Sequence, residues 1–343
     1  MYPQTMPRNA WYMAAFRDEI TREPFARTIQ NIPLVFYRLQ DGRAVALLDQ
    51  CIHRQMPLSL GCIENDNIRC CYHGLMFGPN GQCVEIPSQD SIPASAKVET
   101  FQVVERDGLL WIWMGDPEKA DPANIPACPW LNSPDWVGAT GILHMNSRAQ
   151  LLNENLLDLS HVEFLHPGSI GASKLSSFPI TVDADEKSIR VTRIMDDIEC
   201  PALFKKAMEL PDRIRRTQTA EWFAPGFHVT HIGASPVGAD DEDQFRHKAL
   251  HWVTPETDTS THYFWALYRN YRLEDDEGLT QMLRDAHHSV FCQDVDACEA
   301  IELALQRYGQ DSPPYVNIKV DNGSLKSRRK IESMIREENI SAN

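Results

Sequence analysis

The sequence predicts an α+β chain: an all-β domain over residues 1–116, then over 117–343 a domain built from an antiparallel sheet and a long helix. Three observations carry this. Asx-Gly pairs recur three times within about 70 residues of the N-terminal third. A Pro-rich stretch follows them, and strand-like segments over 180–271 give way to a helical period from Leu279 to Tyr308.

In chain order, Ile32–Arg38 and Ala44–Leu48 are strand-like runs separated by Gln40-Asp41-Gly42. The Asp-Gly pair supplies the positive φ that a tight hairpin demands. Asn80-Gly81 does the same between Leu75-Met76-Phe77 and Cys83–Ile86, and Asp107-Gly108 between Phe101–Val104 and Leu109–Met114. Hairpins at this density imply a small antiparallel sandwich or barrel. Pro117, Pro122, Pro126, Pro129 and Pro134 break ladders and helices alike, which places the border near 116–136. Gln150–Leu165 has helical spacing through Leu152, Leu156, Leu159 and Val162, and Pro167 stops it. The Gly- and Ser-rich segment 167–179 reads as a loop. Phe245–Val253 and His262–Tyr268 alternate around a turn at Pro255–Thr259, placing His247, Ala249, His251 and Val253 on one face. Lys326–Asn339 is a charged amphipathic helix.

The 343 residues are 43% apolar and 24% charged, a globular mix that excludes disorder and a disulfide-stapled miniature fold. A net charge of -15 argues against nucleic acid or an anionic membrane as partner. The apolar run at Leu109–Met114 is far short of the ~20 residues a bilayer requires. Met1–Phe16 lacks a basic region followed by an apolar run, so a cytoplasmic chain is expected. In that reducing compartment nine Cys and 12 His point to metal or redox chemistry before disulfides.

Cys51-Ile52-His53 is followed, sixteen residues on, by Cys70-Cys71-Tyr72-His73. Two loops between strands thus offer two thiolates and two imidazoles. A tetrahedral zinc site takes this set, and so does a Rieske [2Fe-2S] cluster, with two Cys on one iron and two His on the other. One Cys and one His per loop suits the cluster, because each loop can reach both irons.

A second constellation lies on the helix before Pro167. His161 and His166 are five apart, about 140° on a regular helix, but Pro167 ends the helix and lets the second imidazole turn back. A mononuclear iron that activates O2 needs two His and one carboxylate on one face. On the late helix His287, Val290, Phe291, Cys298, Ile301 and Leu305 form an apolar stripe, and Asp294 falls within it while Asp296 and Glu299 point elsewhere. A carboxylate there is costly unless salt-bridged or metal-bound.

Cys51-Ile52-His53-Arg54, Pro57-Leu58-Ser59, Gly61 and Cys70-Cys71-Tyr72-His73-Gly74 resemble the cluster segment of Rieske oxygenases. Leu75 replaces the Trp usual in ring-hydroxylating dioxygenases, which is similar to the vanillate and dicamba O-demethylase branch. Cys71 stands where many members carry Pro and competes with Cys70 as ligand; the family's C-x2-H spacing favours Cys70. Asn155-x2-Asp158-x2-His161-x4-His166 and Asp294-x4-Glu299 resemble the catalytic-domain motifs, and Arg8–Tyr12, Gly108–Trp113 and Thr254–Thr257 extend the likeness over most of the chain.

The resemblance implies a Rieske domain followed by a helix-grip domain. It places a [2Fe-2S] cluster on Cys51, His53, Cys70 and His73, and Fe(II) on His161, His166 and Asp294. Asp158 would accept the free N–H of His161 and bridge to the neighbouring subunit's cluster histidine, the equivalent of His73, in a head-to-tail homotrimer; Asn155 would be a structural or gating neighbour. The implied activity is that of the oxygenase component of a two-component system. It would take electrons from a flavin- or ferredoxin-type reductase and use O2 to O-demethylate, or hydroxylate a methyl group of, a substituted aromatic acid. A ring dioxygenase forming a cis-diol is the near alternative, and a non-catalytic zinc- or cluster-binding protein the distant one. His228, His231 and His251 are the substrate-binding candidates, with His287 and His288 behind them. Few Lys or Arg are evident on those strands, so an anionic substrate is expected to depend on His or amide donors.

Overall fold

Each Asx-Gly pair becomes the turn of a hairpin. The computed structural model describes residues 6–239, 245–274, 276–309 and 316–341. Contacts divide the chain into two compact units, Pro7–Ala127 and Cys128–Asn343, the first six residues counting with the second.

The first unit holds β1 (Trp11–Phe16), β2 (Phe25–Ile29), β3 (Ile32–Arg38), β4 (Ala44–Leu48), β5 (Cys62–Glu64), β6 (Asn67–Arg69), β7 (Met76–Phe77), β8 (Cys83–Glu85), β9 (Thr100–Phe101), β10 (Val103–Arg106) and β11 (Leu109–Trp113). They form three sheets, ordered β1-β11-β10, β2-β3-β4-β9 and β5-β6-β7-β8. Asp107 and Gly108, at φ 56° and 77°, make the β10–β11 turn. Gly81 turns β7 into β8 at φ 79°, and a Cβ there would sit 2.1 Å from the Val98 carbonyl oxygen, so only glycine fits. Val35, Tyr37, Leu47, Leu58, Ile68 and Phe77 are fully buried between the sheets. The contact division falls at 127/128 instead of 116/117 because the Pro-rich stretch is pinned to this unit. Gln102 Nε2 donates to Pro117 O at 3.0 Å, Trp11 Nε1 to Asp121 O at 2.9 Å and Arg106 to Ile125 O at 2.7 Å.

The second unit is one seven-stranded antiparallel sheet, ordered β12-β18-β17-β16-β15-β14-β13. Its strands are β12 (Val137–Met145), β13 (Ile180–Ala184), β14 (Ser188–Glu199), β15 (Arg213–Phe223), β16 (Phe227–Pro236), β17 (Phe245–Thr257) and β18 (Ser260–Arg269). The helices are α1 (Ala149–Leu157), α2 (Val162–Leu165), α3 (Ala202–Met208), α4 (Asp276–Tyr308) and α5 (Asn322–Ser341). Alternate residues of β17, His247, Ala249, His251 and Val253, are all buried as expected. Phe291 of α4 packs against this face, its ring 5.1 Å from that of His251 and 5.3 Å from that of Trp265.

Three features differ from the sequence expectation. The β17–β18 hairpin runs on to Thr257, so its turn is shorter than the anticipated one. The helix over 150–165 is broken in two: Asp158 leaves the helical region at φ -91°, ψ 110°, and its Oδ1 accepts both the N–H and the hydroxyl of Ser160 at 2.6 Å. A short polar side chain bonding its own backbone in this way competes with helix continuation. On α4 the apolar stripe stops early, with Ile301 45% exposed; Glu302 is buried there instead, held by the Arg148 fork at 2.6 and 2.8 Å. Among the described residues no helix is long and apolar enough to cross a membrane.

Candidate metal centres and pocket

The two Cys/His loops share one backbone frame. Cys51 N donates to Met56 O and Gln55 N returns to Cys51 O; Cys70 N donates to Leu75 O and Gly74 N returns to Cys70 O. In both, the fifth residue closes the loop at positive φ, Gln55 at 58° and Gly74 at 75°. Arg69 ties the second loop to its sheet, donating to Gly74 O at 2.8 Å and pairing with Glu64 and Glu85. Cys51 and Cys70 are buried, and the Cys51 thiol is pushed up to about 11 by burial and by the hydrogen-bonded Cys70 thiol beside it. His53 and His73 are exposed, their rings 4.4 Å apart. Cys71 is exposed, whereas Cys70 is buried beside Cys51. The donors form a thiol pair and an imidazole pair. Among the described residues the only three or more donors that converge within 4.8 Å belong to the second unit, so these four are not gathered about a single zinc ion. Separate Cys and His pairs suit the two irons of a cluster.

That converging set is His161, His166 and Asp294. The break at Asp158 places His161 at the start of α2 and His166 at its end, which brings the rings to 5.2 Å. Asp294 arrives from α4, 3% exposed as its stripe position requires. Its Oδ1 lies 3.5 Å from His161 Nε2 and 3.2 Å from His166 Nε2. His166 Nδ1 donates to Gln293 Oε1 at 2.7 Å, which leaves its Nε2 lone pair facing the carboxylate. Lone pairs and a carboxylate oxygen repel one another unless a proton or a metal cation lies between them; against the penalty of burial, Asp294 lifts the His166 imidazole above its usual range, and the buried Asp294 Oδ1 has no well-formed hydrogen bond. The donor set therefore fits a metal of the two-His, one-carboxylate kind. Burial holds the His161 imidazole below its usual range against the opposing pull of Asp294 and Asp158.

The other candidates separate. Asp158 Oδ2 stands 3.9 Å from His161 Nδ1, beyond a hydrogen bond, and that nitrogen is buried without a partner. Asn155 Oδ1 is likewise buried and unbonded, at the wall of a pocket between the sheet and α4. His251 lines this pocket with Thr230, Ile232, Ala249 and Phe291, beside the three donors. His251 Nδ1 and the Tyr263 hydroxyl are hydrogen-bonded at 2.8 Å, and burial pushes the ring down to about 3. His228 shares that face but lies outside the pocket lining, bonded to Asn153 at 2.9 Å. His231 is on the opposite face, between Glu221 and Lys248. His287 lines the pocket and donates to Leu283 O at 2.9 Å, while His288 is exposed. Two lining or supporting residues escaped the sequence reading: Gln293, for which no sequence signal exists, and Arg216, whose inward parity between Ile214 and Gln218 on β15 was a signal.

A thiol–imidazole pair of loops in one unit and an open-faced two-His, one-carboxylate set in the other define a Rieske-type non-heme iron oxygenase. Residues 10–102 match the Rieske [2Fe-2S] domain, and residues 145–337 match the vanillate O-demethylase oxygenase C-terminal domain. The chain is 36% identical to a putative toluene-4-sulfonate monooxygenase system iron-sulfur subunit of Comamonas testosteroni, over 97% of this chain and 98% of that protein. It is 33% identical to the vanillate O-demethylase oxygenase subunit of Pseudomonas sp. strain HR199, over 98% and 97%. A crystal structure of dicamba monooxygenase bound to 3,6-dichlorosalicylic acid superposes with a TM-score of 0.93 at 32% identity, covering 98% and 99% of the two chains. The chain belongs to the Rieske oxygenases of the vanillate O-demethylase type. It is the oxygenase component of a Rieske-type monooxygenase system, carries a [2Fe-2S] cluster and mononuclear non-heme iron, and depends on a reductase or ferredoxin partner.

Proposed function

We propose that this oxygenase hydroxylates a methyl or methoxy carbon on a substituted aromatic acid, with Cys51, His53, Cys70 and His73 holding the cluster and His161, His166 and Asp294 the iron. One observation carries the reading: the three donors open onto a pocket walled by Val162, Ile170, Phe204, Val290 and Phe291, with Gln218, Thr230 and His251 among its polar groups. The two groups, when bound, supply one-electron delivery and O2 activation, so that one oxygen atom enters the substrate carbon and the other leaves as water with two electrons and two protons. From an aryl methyl ether the product is a hemiacetal that loses formaldehyde; from a methyl arene it is the alcohol.

The chain's own residues do the positioning. Gln293 Oε1 fixes the His166 tautomer and aims its Nε2 inward. Phe291 lines the pocket beside the donors, and Trp265 packs against its ring. His251, at the pocket wall, meets a polar ring substituent.

The relatives named for toluene-4-sulfonate, vanillate and dicamba act on aromatic acids, which supports the same class here. A flavin- or ferredoxin-type reductase as donor, a cytoplasmic setting and a head-to-tail homotrimer complete the proposal. Exposed His73 and the half-buried Asp158, which edges an outer groove, are both accessible to a second subunit. A screen of methoxylated, methylated and sulfonated aromatic acids with a surrogate reductase tests it. Formaldehyde or alcohol carrying one 18O atom from O2 is expected. A cis-diol with two labelled atoms, or zinc as the sole metal, overturns it.

A further inference from the structure

The wall of the pocket carries a buried guanidinium that has no counter-ion. Arg216, on the inward face of β15, is 0% exposed. One N–H donates to Ile170 O at 2.8 Å and another to Gln218 Oε1 at 3.3 Å. Its face lies over Phe204, 4.7 Å from the ring centroid. A guanidinium has five N–H donors, so three remain unused, and Nε is buried without any partner. Among the described residues no carboxylate pairs with it, and Arg193 adds positive charge nearby. Arg269, another fully buried arginine of this sheet, spends its donors on Tyr271 O, Thr280 Oγ1 and Arg272 O.

A buried cation left unpaired is among the costliest arrangements a core can hold. Burial and Arg193 bring Arg216 down only to about 10, so it stays charged at neutral pH. Beside Arg216, Gln218 can turn its amide N–H outward and His287 is neutral, pushed down to about 4 by burial, while the carboxylates of the pocket wall, Asp158 and Asp294, lie next to the His161 donor. We propose that Arg216, with Gln218 beside it, is the anchor for the anionic group of the substrate, a carboxylate or a sulfonate held by the planar guanidinium fork. The ring then lies between this anchor and the metal donors, and the anchor selects which substituent carbon reaches them. Arg216 thereby adds a cationic donor to the His and amide donors expected for an anionic substrate. This role rests on the aromatic-acid reading above and adds the residue that enforces it.

The test is equilibrium binding to the full holoprotein, followed by tryptophan fluorescence, with three probes: 4-methoxybenzoate, toluene-4-sulfonate and the uncharged methyl 4-methoxybenzoate. Arg216→Met is expected to weaken both anions by roughly 10- to 100-fold and the ester by less than about twofold. Arg216→Lys should recover part of the anion affinity. Because Arg216 also holds Ile170, Gln218→Glu serves as a second variant: it keeps the hydrogen bond and Arg216 itself but supplies an internal counter-ion. It should lose anion affinity and keep the ester. Equal loss of all three probes in Arg216→Met, or unchanged anion affinity in Gln218→Glu, overturns the anchor. Wild-type protein that binds the ester and neither anion overturns the aromatic-acid reading itself. The ratio of carboxylate to sulfonate affinity identifies which anion the site prefers.

Discussion

The two metal-binding regions solve opposite problems. At the cluster loops the thiols are buried while His53 and His73 reach the surface; at the iron donors His166 and Asp294 are almost wholly buried and His161 is half-buried. The cluster loops are held by backbone hydrogen bonds of the same pattern in both hairpins, with Arg69 bracing the second. The iron donors come from two separate helices and are aimed by side chains, Gln293 above all. An electron can enter through an exposed imidazole edge, whereas a site that handles O2 must keep bulk water out. The lesson is that the cluster should tolerate change around its loops, and the iron site should not.

The largest effects separate the two regions outright. Cys70→Ser should remove the visible absorption of the cluster, and Cys71→Ser should leave it, because only Cys70 is buried beside Cys51. His161→Ala should abolish turnover yet keep that absorption and lose about one iron per chain by metal analysis. If His161→Ala also bleached the cluster, the two sites could not be treated apart. Next, Gln293→Leu leaves His166 Nδ1 buried without an acceptor. Iron affinity should fall about 10- to 100-fold, read by chelator competition, with the cluster spectrum unchanged. Gly171→Ala comes third: the added Cβ would lie 2.6 Å from Val162 O and 2.7 Å from His166 O. The backbone holding His166 must shift, which should cost about 1–3 kcal/mol in denaturant unfolding and weaken iron retention.

The smallest effect lies away from both centres. Burial brings Lys248 down to about 8, on the outer face of the sheet where it donates to His231. Its folded value is below its unfolded one, so between pH 8 and 10.5 the unfolded chain binds more protons and this lysine's contribution to stability rises with pH. Lys248→Met should remove that rise in Tm across the window while both metal sites remain loaded; a slope identical to wild type would show that Lys248 is not the titrating group.

Much of this arrangement is visible in the residues alone, for local reasons. Asp107-Gly108 and Asn80-Gly81 make their turns because positive φ is a property of the dipeptide. Asp294 stands out because a carboxylate on an apolar stripe violates a pattern. The break at Asp158 was hidden, since Leu152, Leu156, Leu159 and Val162 keep a helical period across it while the competing hydrogen bond to Ser160 has no periodic signature. Ile301 and Leu305 extend the same period on α4, yet tertiary packing ends the buried stripe at Cys298 and buries Glu302 against Arg148 instead. His228, His231 and His251 read alike as strand histidines. Only the register shows that His231 faces away and that His228 is spent on Asn153. Gln293 acquires its role from a partner 127 residues away, which no local pattern can announce.

The metal donors ride on helices, while the facing wall of the pocket comes from alternate positions of three neighbouring strands: Arg216 and Gln218, Thr230 and Ile232, Ala249 and His251. None of those six is a metal donor, though Arg216 also holds the Ile170 carbonyl. Such a separation makes the enzyme evolvable: a lineage can retool for a new pollutant or plant-derived acid by rewriting a few sheet positions, and laboratory libraries confined to these positions should change substrate preference while every member keeps its iron.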